Sequence, residues 1–216
     1  YFAKDLGRLL RAFVQGLLAK APFGTVDARL AWFVGLGTIP IGLGGLLLKK
    51  HIEGSLRSLW VIAGSLIVLA VVLAVVEKVA AKNRPIESLT LKDGVVIGLW
   101  QSLALIPGSS RSGTTLTGGL SLGLTREAAA RYSFLLSIPA TGLAGVFELK
   151  HLMEAAERPS TSALVIGTVV SFASGMLAIH GLLQFLRTRS TLVFIVYRVV
   201  LGLALFALLG AGVLQP

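Results

Sequence analysis

Five long apolar runs constrain this chain more than any other feature: residues 31–48, 59–76, 128–147, 162–186 and 192–214. A helix needs about 20 apolar residues to cross the hydrocarbon core of a bilayer, and each run meets or nearly meets that length. Lipid offers no hydrogen bonds, so a spanning segment must satisfy its own backbone, which a helix does. Hydrophilic connectors separate the runs at 49–57, 77–93, 148–160 and 187–190. The alternation predicts an all-α polytopic membrane protein with five spanning helices, a single integral-membrane domain over residues 1–216 and no soluble module. Only 14% of the residues are charged, against about 25% in a soluble domain, and the mean hydropathy is +0.84. A water-soluble globule and a disordered chain are both excluded.

The net charge of +10 sits on short loops between apolar runs, a distribution that belongs to a membrane protein and not to a nucleic-acid binder. There is no cysteine, hence no disulfide, thiolate nucleophile or cysteine-bound metal. The histidines, His51, His151 and His180, are too scattered for a zinc cluster. Residues 1–11 lack the pattern of a signal peptide and look like the flank of an earlier apolar segment, so further N-terminal sequence is expected.

Residues 94–124 depart from the alternation. The apolar stretch 94–107 would be about 21 Å long as a helix at 1.5 Å per residue, short of a core of about 30 Å, and 112–124 is shorter still. Between them lies Pro107-Gly108-Ser109-Ser110-Arg111, which breaks a helix because proline lacks a donor and glycine admits unusual dihedrals. Two half-length helices around a polar breaker predict a re-entrant hairpin. Non-helical backbone at membrane depth persists only where protein buries it or where it lines an aqueous cavity, so the tip is expected at a site. The chain divides accordingly into 1–93, the hairpin 94–124, and 125–216. With the hairpin entering and leaving on one side, thirteen Lys and Arg fall on that side against five on the other. The richer side is cytoplasmic, which places the hairpin mouth in the cytoplasm and the C-terminus outside.

Arg111 is the residue that most needs explaining. An arginine at the centre of a membrane helix costs about 2.5 to 3.5 kcal/mol on insertion scales, and no Asp or Glu lies between Asp93 and Glu127. Its partner is therefore expected on another segment or on a ligand. Hydroxyls cluster around it at Ser109, Ser110, Ser112, Thr114 and Thr115, and Gly108 and Gly113 let backbone amides approach closely. The second half-helix adds free N–H groups and a positive dipole end. Together these describe an oxyanion or phosphate cradle, for which the planar fork of arginine is suited. The small-residue run 117–123 reads instead as a packing surface.

Other polar residues read as structural. Arg198 is seven residues into the last run and is expected to snorkel to the interface. Thr125 is expected to cap a new helix that carries Arg126, Glu127 and Arg131. His180 falls inside a run and could pair with a hydroxyl, whereas His51 and His151 are expected in solvated loops. Trp32, Trp60 and Trp100 lie near segment ends, as interfacial anchors do.

The run Pro107-Gly108-Ser109-Ser110-Arg111-Ser112-Gly113-Thr114-Thr115 resembles the PGxSRSxxT signature of the undecaprenyl-diphosphate phosphatase family, the bacterial bacitracin-resistance membrane phosphatases. Gln101 sits where that family carries a Gln in its second repeat, residues 133–142 resemble its helix after the signature, and the similarity runs over nearly the whole chain. The resemblance implies hydrolysis of undecaprenyl diphosphate to the monophosphate plus phosphate, which recycles the lipid carrier of cell-wall synthesis in the bacterial inner membrane. It also implies a fold of two inverted-topology repeats, each with a re-entrant hairpin. Carried over by position, Arg111 would grip the diphosphate while Ser110 and Thr115 contact the departing phosphate. Gln101, Gly108, Ser109, Ser112 and Gly113 would be substrate-binding.

The family's first repeat also bears a Glu-rich segment followed by Pro-x-Ser-Ser-x-Gly-His, and this chain has neither. About 50 to 60 further N-terminal residues are expected, from one re-entrant pair plus a span. The 216 residues alone are expected to be inactive or severely impaired, because phosphoryl transfer needs a group that activates the nucleophile as well as an anion clamp. Ser110 as nucleophile or as phosphate ligand stays open, with water or a serine of the first repeat as equal candidates. Mg²⁺ or Ca²⁺ is expected to neutralise diphosphate charge, and no organic cofactor is expected. The expected partners are a polyprenyl diphosphate and membrane lipids, not nucleic acid, with a homodimer as a candidate assembly. A transporter or flippase for a polyprenyl phosphate is the alternative, since inverted repeats, broken helices and a midplane anion site serve transport equally well.

Overall fold

The computed structural model describes residues 1–154 and 160–215, with the side chains of all of these except 53 and 150–154. In chain order the helices are α1 (Ala3–Leu18), α2 (Val26–Leu47), the short α3 (Lys49–Glu53), α4 (Leu59–Val79), α5 (Leu91–Ser102), α6 (Arg111–Ser121), α7 (Arg126–Glu154), α8 (Thr161–Thr188) and α9 (Leu192–Gly210). No strand occurs among the described residues. Five helices, α2, α4, α7, α8 and α9, are long and apolar enough to cross a membrane. The protein is an all-α, multi-pass membrane protein.

Local chemistry sets the helix ends. The Thr25 hydroxyl accepts a hydrogen bond from the Ala28 amide (3.1 Å) and Asp27 lies in the first turn, so α2 starts ahead of the run 31–48 that hydropathy alone marks out. The Thr125 hydroxyl accepts from the Ala128 amide (3.2 Å), the cap expected for α7, which continues to Glu154 and takes up the first part of the connector at 148–160. His151 is therefore on a helix and not in a loop; its side chain is outside the described ones, as are residues 155–159. His51 lies on α3 and is exposed, and His180 Nδ1 is 3.4 Å from the Tyr1 hydroxyl.

Close packing relies on small residues. Gly202 of α9 lies against Ala63 and Ile67 of α4, where a Cβ would come within 3.0 Å of the Ala63 carbonyl oxygen. A Cβ on Gly98 of α5 would reach 2.5 Å from the Gly37 carbonyl oxygen of α2. Large apolar side chains of α8, such as Val165, Ile166, Val169, Phe172 and Leu177, are exposed, which is the arrangement lipid requires and water penalises.

Residues 91–121 form a helix–loop–helix. At 1.5 Å per residue its legs α5 and α6, of 12 and 11 residues, are about 18 and 17 Å long, half a bilayer core. A 3₁₀ turn at Leu103–Leu105 and the breaker through Ser110 join them. The run 117–123 is a packing surface, as expected: Gly118 abuts Trp100 and Gly119 abuts Ala129. The three tryptophans differ in their surroundings. Trp100 is held between the legs against Gly118, where a Cβ would come within 2.7 Å of its ring. Trp32 is half-buried between Phe13 and Phe23. Trp60 is 45% exposed at the start of α4 beside Phe206.

Candidate functional site

The breaker is held by two spanning helices. Gly108 adopts a φ of +85° and lies so close to α4 that a Cβ would come within 2.6 Å of the Ile62 carbonyl oxygen. Only glycine combines that conformation with that approach. Beside it the Ser65 hydroxyl of α4 donates to the Pro107 carbonyl (2.6 Å).

From α9 comes Arg198, and here the sequence reading is corrected. The side chain does not snorkel. Arg198 is 6% exposed, and its Nη2 donates to the carbonyls of Ser109 (2.9 Å), Gly108 (3.3 Å) and Ser65 (3.4 Å). Its Nη1 lies beside Gly113, where a Cβ would approach it to 2.9 Å. The cause is the α4–α9 contact at Gly202, which brings α9 close enough to α4 for a residue one turn earlier to reach the hairpin tip. An ionisable residue within a spanning run is a functional candidate by default, and that signal was present at Arg198 as much as at Arg111.

Ser110 caps α6 with φ +63° and ψ 104°, and its hydroxyl accepts from the Gly113 amide (3.3 Å). A non-glycine residue in this region stores about 1–3 kcal/mol of strain, which persists only where the surroundings impose it. The amides of Arg111 and Ser112, at the first turn of α6, have no partner among the described residues, as the geometry of a helix start dictates.

These groups open on a cavity of about 240 Å³. Its polar end is formed by Ser110, Ser112, Gly113, Ser133 and Arg198. Its walls are apolar, with Leu66, Leu116, Phe134, Leu182 and Leu201 contributed by five different helices. An amphipathic cavity of this kind, with hydroxyls, a cation and a helix N-terminus at one end, can bind an oxyanion carried on an apolar chain.

The eight residues singled out from sequence divide by position. Ser110, Ser112 and Gly113 line the cavity. Gly108 and Ser109 build the tip beneath it; Ser109 is fully buried, with its carbonyl on Arg198. Arg111 turns towards α7, where Nη1 donates to the Ser137 carbonyl (3.2 Å) and the Thr141 hydroxyl (2.9 Å); its partners lie on another segment and are neutral. Thr115 is buried with its hydroxyl on the Arg111 carbonyl (2.8 Å) and on Ser133. Gln101 is apart from the cavity, fully buried, its amide donating to the Gly37 carbonyl of α2 (3.3 Å). Sequence reasoning passed over Ser65 and Ser133 as well as Arg198; a hydroxyl inside a spanning run carries no distinguishing signal.

Carboxylates gather elsewhere. Asp5, Asp27, Glu77, Asp93 and Glu127 pair with Arg131, Arg8, Arg126, Arg84 and Arg187 respectively. Among the described residues no group of three or more His, Asp or Glu side chains is placed to hold a metal ion. The described lining of the cavity offers hydroxyls and a guanidinium and no carboxylate.

Residues 1–204 match the family model described as bacitracin resistance protein BacA. Over its whole length the chain is 66% identical to an undecaprenyl-diphosphatase of Myxococcus xanthus, covering 73% of that protein. It is 50% identical to one from Anaeromyxobacter dehalogenans, with 99% of this chain and 73% of that protein aligned. With one from Mycolicibacterium smegmatis the identity is 48%, over 99% of this chain and 78% of that protein. A strained serine cap and an arginine-braced hairpin tip thus occur in a sequence matched along nearly all of its length, and the chain belongs to the bacitracin resistance protein BacA family.

Proposed function

We propose that this protein hydrolyses undecaprenyl diphosphate to undecaprenyl phosphate and phosphate, in the bacterial inner membrane, and so returns the lipid carrier to cell-wall synthesis. The observation that carries this reading is the cavity that joins an anion-binding end at Ser110, Ser112 and Arg198 to apolar walls. A substrate with a diphosphate head and a polyprenyl tail presents the same two chemistries in the same order. In the reaction an oxygen nucleophile attacks the terminal phosphorus, the bridging P–O bond breaks, and the lipid monophosphate leaves with the bridging oxygen. The chain's contribution is positioning and charge neutralisation, which dominate phosphoryl transfer. Arg198 Nη1 and the free amides at the start of α6 would hold the non-bridging oxygens, and the hydroxyls of Ser110 and Ser112 would orient the terminal group. Arg111, bonded to Ser137 and Thr141 of α7 and outside the cavity lining, would anchor the start of α6 beside the diphosphate.

The test is phosphate release from farnesyl diphosphate by the full-length protein in detergent. Wild type should release phosphate, and Arg111→Ala and Arg198→Ala should each slow release by an order of magnitude or more. Absence of release by wild type, with labelled polyprenyl phosphate still crossing vesicles that contain the protein, would replace hydrolysis by transport.

A further inference from the structure

Outside the cavity, one side chain touches both ends of the hairpin. Arg84 lies in the connector between α4 and α5. Its Nη2 donates to Asp93 Oδ2 (2.6 Å) and to the Ser88 carbonyl (2.9 Å), while Nη1 donates to the Leu122 carbonyl (2.8 Å). Asp93 is the third residue of α5 and completes its capping box with Thr90. Leu122 is the C-cap of α6. One guanidinium therefore bonds the first turn of the descending leg and the last carbonyl of the returning leg. The backbone repeats the tie: the Arg84 amide donates to the Gly123 carbonyl (3.0 Å), and the Thr125 amide donates to the Arg84 carbonyl (2.9 Å). Burial pushes the Asp93 carboxyl up, but its bonds to Arg84 and Thr90 outweigh that and hold it below the ordinary carboxylate value.

We propose that Arg84 is a positioning residue for the reaction: by fixing the two legs of the hairpin to each other at their base, it sets the depth and tilt of the Ser110–Arg111 loop. The reading rests on the phosphatase function above. The loop stands about 17 Å from the clamp, one leg length. Legs free to slide or splay at the base carry that displacement to the tip, and an error of about 1 Å in a phosphoryl-transfer site can cost on the order of a hundredfold in rate. Lysine cannot replace the arginine. Its ammonium is a point charge without the planar fork that meets a carboxylate and a carbonyl on opposite sides.

The experiment compares full-length wild type, Arg84→Lys and Asp93→Asn, well below their melting temperatures so that all are folded. Phosphate release gives kcat and KM. In parallel, spin labels are placed at Leu99 on α5 and Val68 on α4, both exposed, in a background whose only cysteines are those two, and the distribution of their separation is measured. Both variants should lose kcat about tenfold or more with KM within twofold, and the label distribution should broaden. A residue needed only for folding would lower the melting temperature and leave kcat of the folded enzyme unchanged. Either an unchanged kcat or an unchanged distribution overturns the proposal. Failure of wild type to release phosphate would strike the phosphatase reading, and the label measurement would still decide whether Arg84 holds the hairpin in place.

Discussion

Replacing Arg198 by alanine tests the tertiary arrangement most directly. The guanidinium supplies one short hydrogen bond to the Ser109 carbonyl and two long ones, at 3.3 and 3.4 Å, to Gly108 and Ser65. A charge-assisted bond contributes about 1.5–3 kcal/mol, and the two long bonds contribute less than the short one. Loss of the set should destabilise the fold by roughly 2–4 kcal/mol, because one buried and two part-buried carbonyls lose a donor. At about 2–4 °C per kcal/mol for a chain of this size, the melting temperature in detergent should fall by roughly 5–15 °C. Catalysis loses a second contribution, since Nη1 beside Gly113 no longer meets the substrate. One charge-assisted bond to phosphate, at about 1.4 kcal/mol per decade, corresponds to roughly a 10- to 150-fold fall in kcat/KM. Arg198→Lys separates the two effects: it keeps the charge but cannot serve the carbonyls and the cavity together, so it should retain most of the melting temperature and lose most of the activity. The assay is phosphate release beside a thermal melt. An alanine variant with wild-type melting temperature and wild-type kcat/KM would show that the guanidinium lies in the interface, and the site described above would fall.

Gly108→Ala adds a Cβ within 2.6 Å of the Ile62 carbonyl oxygen at a φ of +85°; it should cost about 2 kcal/mol or more and abolish phosphate release in a protein that still inserts, read by activity against expression in membranes. Thr115→Val removes the hydroxyl that joins Ser133 to the Arg111 carbonyl and should cost about 1–2 kcal/mol, with a several-fold fall in kcat and a lower melting temperature. Asp93, whose carboxyl is held low in the folded state, contributes stability that is complete above its unfolded value of about 3.9 and is lost as pH falls through the lower folded value. Melting temperature should therefore drop more steeply below about pH 4 in wild type than in Asp93→Asn, and parallel curves would refute the assignment.

Much of this protein can be read from the order of its residues. The spanning helices are legible because lipid makes a simple demand, a sufficient run of apolar side chains with every backbone group satisfied within the run, and α2, α4, α7, α8 and α9 answer it. The hairpin is legible for the converse reason: 94–107 and 112–124 are too short, and Pro107-Gly108 cannot continue a helix. The serine cap at Ser110 and the glycine surface at Gly118 and Gly119 also follow from local chemistry, since caps and close packing depend on residue type within one or two turns. Tertiary structure decided which cation faces the cavity. Arg111 stands among hydroxyls and glycines and Arg198 among apolar side chains, yet neither local setting tells which guanidinium lines the cavity. Their roles are set by the approach of α9 to α4 at Gly202, which brings Arg198 to the carbonyls of the tip, and by the packing of α6 on α7, which turns Arg111 towards Ser137 and Thr141. The same is true of Trp100 and Gln101, whose neighbours Gly118 and Gly37 lie 18 and 64 positions away in the chain. Hydropathy reports the environment along a segment, whereas the direction of a side chain depends on which other segment stands beside it, and that is a property of the assembled bundle alone.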